Sequence, residues 1–302
     1  VRNVHVLVNP DAGRGRGSSR ADAAIARLRE RGFDPVVHTG SSAEESRRLA
    51  AEAVAAQPDV LVIVGGDGTL SSVVDVLTGS GIPLVLVPAG TGNDLARSLS
   101  IPFGSDEAAA LAVEAAVDGI PRSLDVGEAV CEGTSAHFLT IAALGFDAKV
   151  SERTNRLRWP RGGARYYLAL LIELVRLAPM RFSLRVDGAD APVADGTLIA
   201  VGNTRSYGGG MPVCPSADPH DGLFDITHVA PVGRLQLLRL FPRLLRSTHV
   251  ELPQVTTMRG REVEVSAPGL VVYADGERIG TGSARIRVVP GALSVLIPRW
   301  GV

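Results

Sequence analysis

Lysine is nearly missing from this 302-residue chain: Lys149 is the only one, so almost all of the 31 basic residues are arginines. A phosphate loop of the GxxxxGK[ST] kind needs a lysine beside its last glycine, and none stands there, so that route to nucleotide phosphates is excluded. An excess of either charge is missing too. With 31 basic and 32 acidic residues the formal net charge is −1, whereas bulk nucleic-acid binding runs on clustered positive charge; no nucleic-acid partner is expected. The two cysteines, Cys131 and Cys214, lie far apart without CxxC or metal-ligand spacing and read as buried reduced thiols. The histidines lack HExxH spacing and read as ordinary surface or partly buried side chains, and the absence of GxSxG removes a serine hydrolase. Long apolar runs are also lacking: the longest, Tyr166 to Val175, is too short to span a bilayer and carries Glu173. Val1-Arg2-Asn3 leads into a strand pattern with no signal peptide, so the expectation is a cytoplasmic protein still able to touch a membrane surface.

What is present is a core. Hydrophobic residues make up 45% of the chain and charged residues 21%, as in globular proteins, and the length suits one large domain or two ordinary ones. Strand patterns at 4–8, 34–38, 60–64 and 83–87 alternate with helix patterns at 19–31, 43–56 (with Ser41/Ser42 and Glu44/Glu45 as a capped start), 70–77 and 106–117. Such alternation with short loops predicts a doubly wound, three-layer α/β/α domain. After about residue 123 the pattern changes to short β-like runs, interrupted by helical segments near 163–178 and 232–248. A β-rich sandwich is therefore expected over 124–290, following the α/β domain over 1–123.

In doubly wound sheets ligands bind beyond the carboxyl ends of the strands. Three of those ends read Asn9-Pro10-Asp11-Ala12-Gly13, Gly65-Gly66-Asp67-Gly68-Thr69 and Pro88-Ala89-Gly90-Thr91-Gly92-Asn93-Asp94. Small residues before a helix expose backbone N–H groups, and the helix adds its positive end, which together hold phosphates. Without a P-loop lysine, phosphate binding falls to backbone amides, Thr69, Thr91 and arginines such as Arg14 or Arg16. The stretch GRGRG at 13–17 lacks the register of a dinucleotide fingerprint.

These motifs resemble those of lipid kinases of the diacylglycerol kinase catalytic-domain type, which include bacterial soluble diacylglycerol kinases and sphingosine kinases. The resemblance continues in order through Gly145-Phe146-Asp147-Ala148, Val201-Gly202-Asn203 with Gly208-Gly209-Gly210, Pro215 to Gly222 and Asp275-Gly276-Glu277, and so covers nearly the whole chain. It implies a magnesium-dependent, ATP-using lipid kinase with its active site in a cleft between two domains. Residues 291–302 are then expected to return to the first domain, and a homodimer is possible. By resemblance, Asn9, Pro10, Asp11, Ala12, Gly13, Thr39, Gly65, Gly66, Asp67, Gly68, Thr69, Leu70 and Thr91 hold the nucleotide, with Asp67 beside the phosphates helping to arrange magnesium. Asp275 matches the base that accepts the proton of the attacking hydroxyl, with Glu277 assisting or in the exchanged role; Asp-Gly alone reads as a hairpin turn. Asp218, Asp221 and the Leu223 carbonyl match a structural magnesium site, with Asp67, Asp94 and Asp125 reaching it through water, although an Asp-rich turn without metal fits the same residues. An NAD kinase shares GGDGT but would need Asn-Glu and Thr-Gly-Ser-Thr motifs that this chain lacks; an idle binding protein of the same fold would not need to keep Asp67, Asp275 and Glu277.

The segment 233–246, GRLQLLRLFPRLLR, places Arg239, Arg243 and Arg246 in one helical sector, with Leu237, Leu238, Leu240, Phe241, Leu244 and Leu245 opposite. It reads either as a helix packed on the β domain or as a basic amphipathic helix at a membrane interface. Arg156, Arg158, Trp159, Arg161 and Arg165 precede the apolar segment, and the two stretches together point to anionic lipid head groups. Peripheral association with the inner face of the membrane is the corresponding expectation.

Overall fold

The computed structural model describes residues 3–157, 159, 168–169, 172–173, 180–191 and 195–299. The chain divides into two units: residues 1–126 with 208–210 and 289–302, and residues 127–207 with 211–288.

In the first unit β1 (Val4–Val8), β2 (Val36–Thr39), β3 (Val60–Gly65) and β4 (Pro83–Pro88) alternate with α1 (Ala12–Glu30), α2 (Ala43–Ala55) and α3 (Asp67–Leu77); α4 (Asp94–Ser98), α5 (Asp106–Val113) and α6 (Ala115–Asp118) follow. Every residue of β1 and β3 is buried, as expected of parallel strands covered on both faces. The strands run parallel in the order β2-β1-β3-β4, and Ser294 and Val295 from the end of the chain add in parallel beside β4. From β1 the chain turns to β2 on one side, then crosses back to β3 on the other. Right-handed crossovers put α1 on one face and α2 and α3 on the opposite one. Accordingly α1 packs against α5, and α2 against α3. The carboxyl ends of β1 and β3 therefore flank the switch point of the sheet, where ligands bind.

Local signals are met at the start of α2, where the Glu45 N–H donates to Ser42 Oγ at 3.1 Å and the Ser41 N–H to the Glu45 carboxylate at 2.9 Å. The start of α1 differs from the expected 19–31. The helix opens at Ala12, but Gly13, Arg14 and Gly15 have φ of 60°, 67° and 86°, a left-handed run before the regular helix.

The second unit is antiparallel. The strands continue the numbering, the first and last of them running across the unit boundary, as β5 (Ile120–Cys131), β6 (Thr134–Phe138), β7 (Ile141–Gly145), β8 (Met180–Arg181), β9 (Ser183–Val186), β10 (Ala189–Asp190), β11 (Asp195–Gly196), β12 (Leu198–Gly202) and β13 (Phe224–Val229). They end with β14 (Val255–Gly260), β15 (Glu262–Ser266), β16 (Val271–Ala274), β17 (Glu277–Thr281) and β18 (Ala284–Ile297). Six strands form one sheet in the order β14-β13-β12-β7-β16-β17; β10, β9, β15 and the first part of β18 form the other, which β5 joins with β6. Inward side chains alternate along each strand, so Leu144, Ile199, Val201 and Ile226 of one sheet share a core with Leu184, Val263, Val265 and Ile286 of the other. Phe138 and Phe224 stack inside it with ring centres 5.8 Å apart. This is the β-rich sandwich. The outer face of the six-stranded sheet is covered by α7 (Phe146–Arg156) and the helix Arg234–Leu244, through Phe146, Val150, Leu237 and Leu240.

Both cysteines are free and buried, and burial pushes the Cys214 thiol up to about 12, which keeps it protonated. His5, His228 and His249 are buried rather than superficial; β1, β13 and the turn at 249–251 carry them inward with their strands and caps. The helical segment expected near 163–178 lies largely outside the described residues, as do Arg158, Arg161 and Arg165. Among the described residues no helix is long and apolar enough to cross a membrane.

Candidate active site

The loops after β1, β3 and β4 meet at the switch point around a cavity of about 270 Å³. Asn9, Ala12, Gly13, Gly66, Asp67, Gly68, Thr69 and Thr91 line it, all expected from the motifs, together with Gly90 and Gly92 from the loop after β4. Two glycines are there for close approach. A Cβ on Gly66 would stand 2.7 Å from Gly90 Cα, and one on Gly13 would stand 2.0 Å from the Ala89 carbonyl oxygen. The three loops can therefore touch backbone to backbone. Gly68 is the opposite case: a Cβ there would meet nothing within 4 Å. The chain itself does not need that side chain absent, and the position opens on the cavity.

Polar side chains hold the cradle in shape. Asn9 Nδ2 donates to Thr69 Oγ1 at 2.9 Å, tying the first loop to the start of α3, while Asn9 Oδ1 accepts the Asp11 N–H at 3.1 Å. Asp67 accepts the Asn93 N–H at 2.7 Å on one oxygen and the Asp94 N–H at 2.8 Å on the other. Asn93 sits at φ 54° and closes its own turn, its side chain accepting from the Gly90 N–H and donating to the Gly90 carbonyl. Asp94 in turn accepts the N–H groups of Gly209 and Gly210 at 2.8 and 2.7 Å. Asp67 and Asp94 thus form a relay of latches across three loops, each carboxylate gripping two consecutive amides.

Several nucleotide positions expected by resemblance do not line the cavity. Asp11 and Thr39 are exposed, Pro10 is half-buried on its turn, Gly65 packs on Thr69, and Leu70 lines a separate small pocket with Ile63 and Leu86. Asn93 was missed; an Asn-Asp pair after glycines is a signal for a left-handed turn that opens a helix.

In the second unit Asp275 and Gly276, at φ 49° and 82°, make the two-residue turn between β16 and β17 that Asp-Gly favours. The Asp275 carboxylate accepts the N–H groups of Leu139 at 2.7 Å and Thr140 at 2.8 Å, and the Thr140 hydroxyl as well. Burial raises its proton affinity above the usual carboxylate range, against the pull of those donors, the Thr140 hydroxyl foremost. Asn203 joins the same turn, its Nδ2 donating to the Leu139 carbonyl at 2.9 Å. The motifs at 201–203 and 275–277 therefore converge on residues 139–141. Glu277 is exposed at the start of β17.

The expected magnesium turn carries a different counter-ion. Asp218 Oδ1 accepts the His220 N–H at 3.2 Å, and Asp221 Oδ1 the Leu223 N–H at 3.0 Å. The other Asp221 oxygen pairs with Arg259, which also donates to the buried Asp225 at 3.1 Å. Burial raises the proton affinity of Asp225, and Asp221 and Asp218 add to the rise while Arg259 opposes it. As arranged, each Asp221 oxygen accepts one donor, and one of the two donors is the Arg259 guanidinium, a full positive charge. Among the described residues no group of three or more His, Cys, Asp or Glu is placed to hold a metal. Asp125, on β5, accepts the Gly291 N–H at 2.8 Å within the first unit.

Comparison with known proteins agrees with this architecture. Residues 3–129 match the Diacylglycerol kinase catalytic domain and residues 140–297 the YegS C-terminal NAD kinase beta sandwich-like domain. The chain is 47% identical over 302 residues to a Diacylglycerol kinase of Mycobacterium tuberculosis, covering 100% of this chain and 97% of that protein. A crystal structure of a diacylglycerol kinase from Bacillus anthracis superposes with a TM-score of 0.73 at 20% identity, covering 100% of this chain and 98% of that one. An NAD kinase from Archaeoglobus fulgidus, solved in complex with ATP, superposes with a TM-score of 0.56 at 17% identity over 100% and 95% of the two chains, a likeness of fold. The fold and the glycine-lined cavity thus define a two-domain kinase with a doubly wound first domain and a β-sandwich second domain. Within that class, the chain belongs to the diacylglycerol kinase and YegS-like lipid kinase family.

Proposed function

We propose that this protein transfers the γ-phosphoryl group of ATP to the free hydroxyl of diacylglycerol, or a closely related lipid, giving phosphatidic acid or its analogue. The observation that carries the reading is the cavity at the switch point: backbone loops bare of side chains, a helix N-terminus opening into it, and Thr69 and Thr91 on its wall. That is a place for a polyphosphate. The 47% identity to a protein named Diacylglycerol kinase supports a diacylglycerol-type acceptor over NAD.

In this reading the acceptor oxygen bonds to the γ-phosphorus as the bond from that phosphorus to the β,γ-bridging oxygen breaks. ADP leaves with the bridging electron pair, and the hydroxyl proton passes to Asp275. A carboxylate whose proton affinity is raised by burial is a stronger base than an exposed one, and Leu139 and Thr140 hold it in one orientation. Magnesium arrives with the nucleotide, as the MgATP substrate; Asp67 and Asp94 shape the loops that receive it. The lipid is met at the cytoplasmic face of a membrane.

Labelled ATP transfer to diacylglycerol, monoacylglycerol, sphingoid base and ceramide in mixed micelles, with NAD alongside, tests the reading. Activity on NAD with failure on every lipid would overturn it. Asp275→Asn is expected to lower kcat by about a hundredfold or more while leaving ADP affinity at the first unit unchanged. The acid limb of kcat/KM should lie above the ordinary carboxylate range and vanish in that variant. Unchanged turnover would remove Asp275 from the base role.

A further inference from the structure

The helix Arg234–Leu244 does not divide as its sequence predicts. Leu237 and Leu240 are buried in the layer over the six-stranded sheet and Leu244 is half-buried beside them. Leu235 and Leu238, by contrast, are 72% and 50% exposed, and Leu245 at the C-cap is 56% exposed. Positions 235, 238, 242 and 245 step by three and four residues, so Leu235, Leu238, Pro242 and Leu245 form one stripe on the side away from the core. Arg239, Arg243 and Arg246 step by the same interval and run alongside it, all exposed. None of the three pairs with a described carboxylate, and no acidic residue occurs from Pro231 to Thr248. Trp159, 77% exposed, follows two residues after Leu157, which packs on the same cluster as Leu240. Two residues span at most about 7 Å, so the backbone of the exposed Trp159 stays close to this helical layer.

We propose that this face docks on an anionic lipid bilayer, a partner that rests on the lipid-kinase reading. Leu235, Leu238 and Leu245 enter the acyl boundary, the arginines take the head-group phosphates, and Trp159 sits at the interface. A row of exposed leucines costs free energy in water and is repaid only by an apolar phase, while the adjoining uncompensated arginines select a surface dense in negative charge. A second copy of the chain is disfavoured as the occupant, because it would set two rows of arginines against each other with no carboxylate between them. The apolar stripe is narrow, and the charge beside it decides the partner.

The test is vesicle co-sedimentation of the full chain with phosphatidylcholine vesicles, with and without phosphatidylglycerol. Wild type should bind the anionic vesicles preferentially. Arg239→Gln/Arg243→Gln/Arg246→Gln is expected to lose about a hundredfold in partition onto them, since each arginine near the surface is worth roughly 1 kcal/mol. Leu235→Ser/Leu238→Ser/Leu245→Ser should lose about tenfold or more. The triple Arg→Lys variant should retain binding, which separates charge from misfolding. Both loss variants should keep wild-type turnover on a short-chain diacylglycerol dissolved as monomer, yet fail on the same lipid presented in vesicles. Wild-type partition by either variant, or a dimer in sedimentation velocity that the leucine variant dissolves without any vesicle binding, overturns the proposal. Vesicle binding through this face by a protein that phosphorylates no lipid would leave the docking surface standing and remove the activity instead.

Discussion

Asp67 and Asp94 in the first unit each accept two consecutive backbone N–H groups, whereas Asp221 and Asp225 in the second share the guanidinium of Arg259. The two solutions have different consequences. Amides belong to the chain's path, so a carboxylate gripping two successive amides dictates loop geometry through partners that do not exchange. A guanidinium is one positive charge on a flexible stem, and another cation or a proton can do part of its work. Asp275 belongs with the first kind although it lies in the second unit: its oxygens take the Leu139 and Thr140 amides, and the Thr140 hydroxyl adds a third donor. The carboxylates that the catalytic reading uses are thus the amide-bound ones, and the turn read from sequence as a metal site is the arginine-bound one.

The sharpest way to break this comparison is Asp67→Asn. An amide side chain keeps one acceptor but points an N–H₂ at the second backbone donor, so one charge-assisted bond becomes a clash. The loop at 90–94 should lose about 3 kcal/mol, read as a fall in Tm, and ATP affinity by calorimetry should drop roughly a hundredfold. Wild-type affinity would mean that the loop does not depend on this latch.

Arg259→Gln tests the other solution and should cost less, about 1–2 kcal/mol, because Arg259 is half exposed and screened. Its pH dependence has a definite sign. Burial raises the proton affinity of Asp225, so native stability falls as pH rises through that raised value. Removing the opposing cation deepens the fall. The variant should lie furthest below wild type above that raised value and close the gap as pH falls through it, where protonation relieves the buried charge. Magnesium should raise the Tm of Arg259→Gln, whose Asp221 oxygen is released, and leave wild type unmoved. A wild-type response to magnesium would return the metal to this turn.

The smallest effect is expected at a neutral link. Thr69→Val removes the acceptor of the Asn9 side chain and should cost about 1 kcal/mol, with Thr69→Ser close to wild type in thermal unfolding. A Thr69→Ser variant as damaged as Thr69→Val would shift the importance from the hydroxyl to the methyl.

Much of the architecture was legible because its signals are local. Buried runs such as Val60 to Val64 ended by glycine, aspartate and threonine announce parallel strands and their binding loops, and Ser42 with Glu45 announces a helix start. The same holds for the Asp275-Gly276 turn. The cavity residues were readable for that reason, and the exceptions were those whose place depends on distant chain. Leu70 follows directly on the motif but lines a different pocket. Asn93 is visible as a turn residue, yet its neighbour in the site is Asp67, 26 positions earlier.

Composition, periodicity and motif order by themselves determined a doubly wound sheet followed by a β-sandwich, glycine-rich strand-end loops without a lysine, and a basic amphipathic helix. Only the tertiary structure decided which partner each carboxylate takes and which leucines of that helix are left outside. A helical repeat shows that Leu235, Leu238 and Leu245 share a side, but the six-stranded sheet claims Leu237 and Leu240 and leaves the other row to solvent. Likewise Asp221 carries the same charge whether it meets magnesium or Arg259. The pairing of strands β13 and β14, which sets Asp225 opposite Arg259, brings the guanidinium there, and no spacing along the chain encodes that choice.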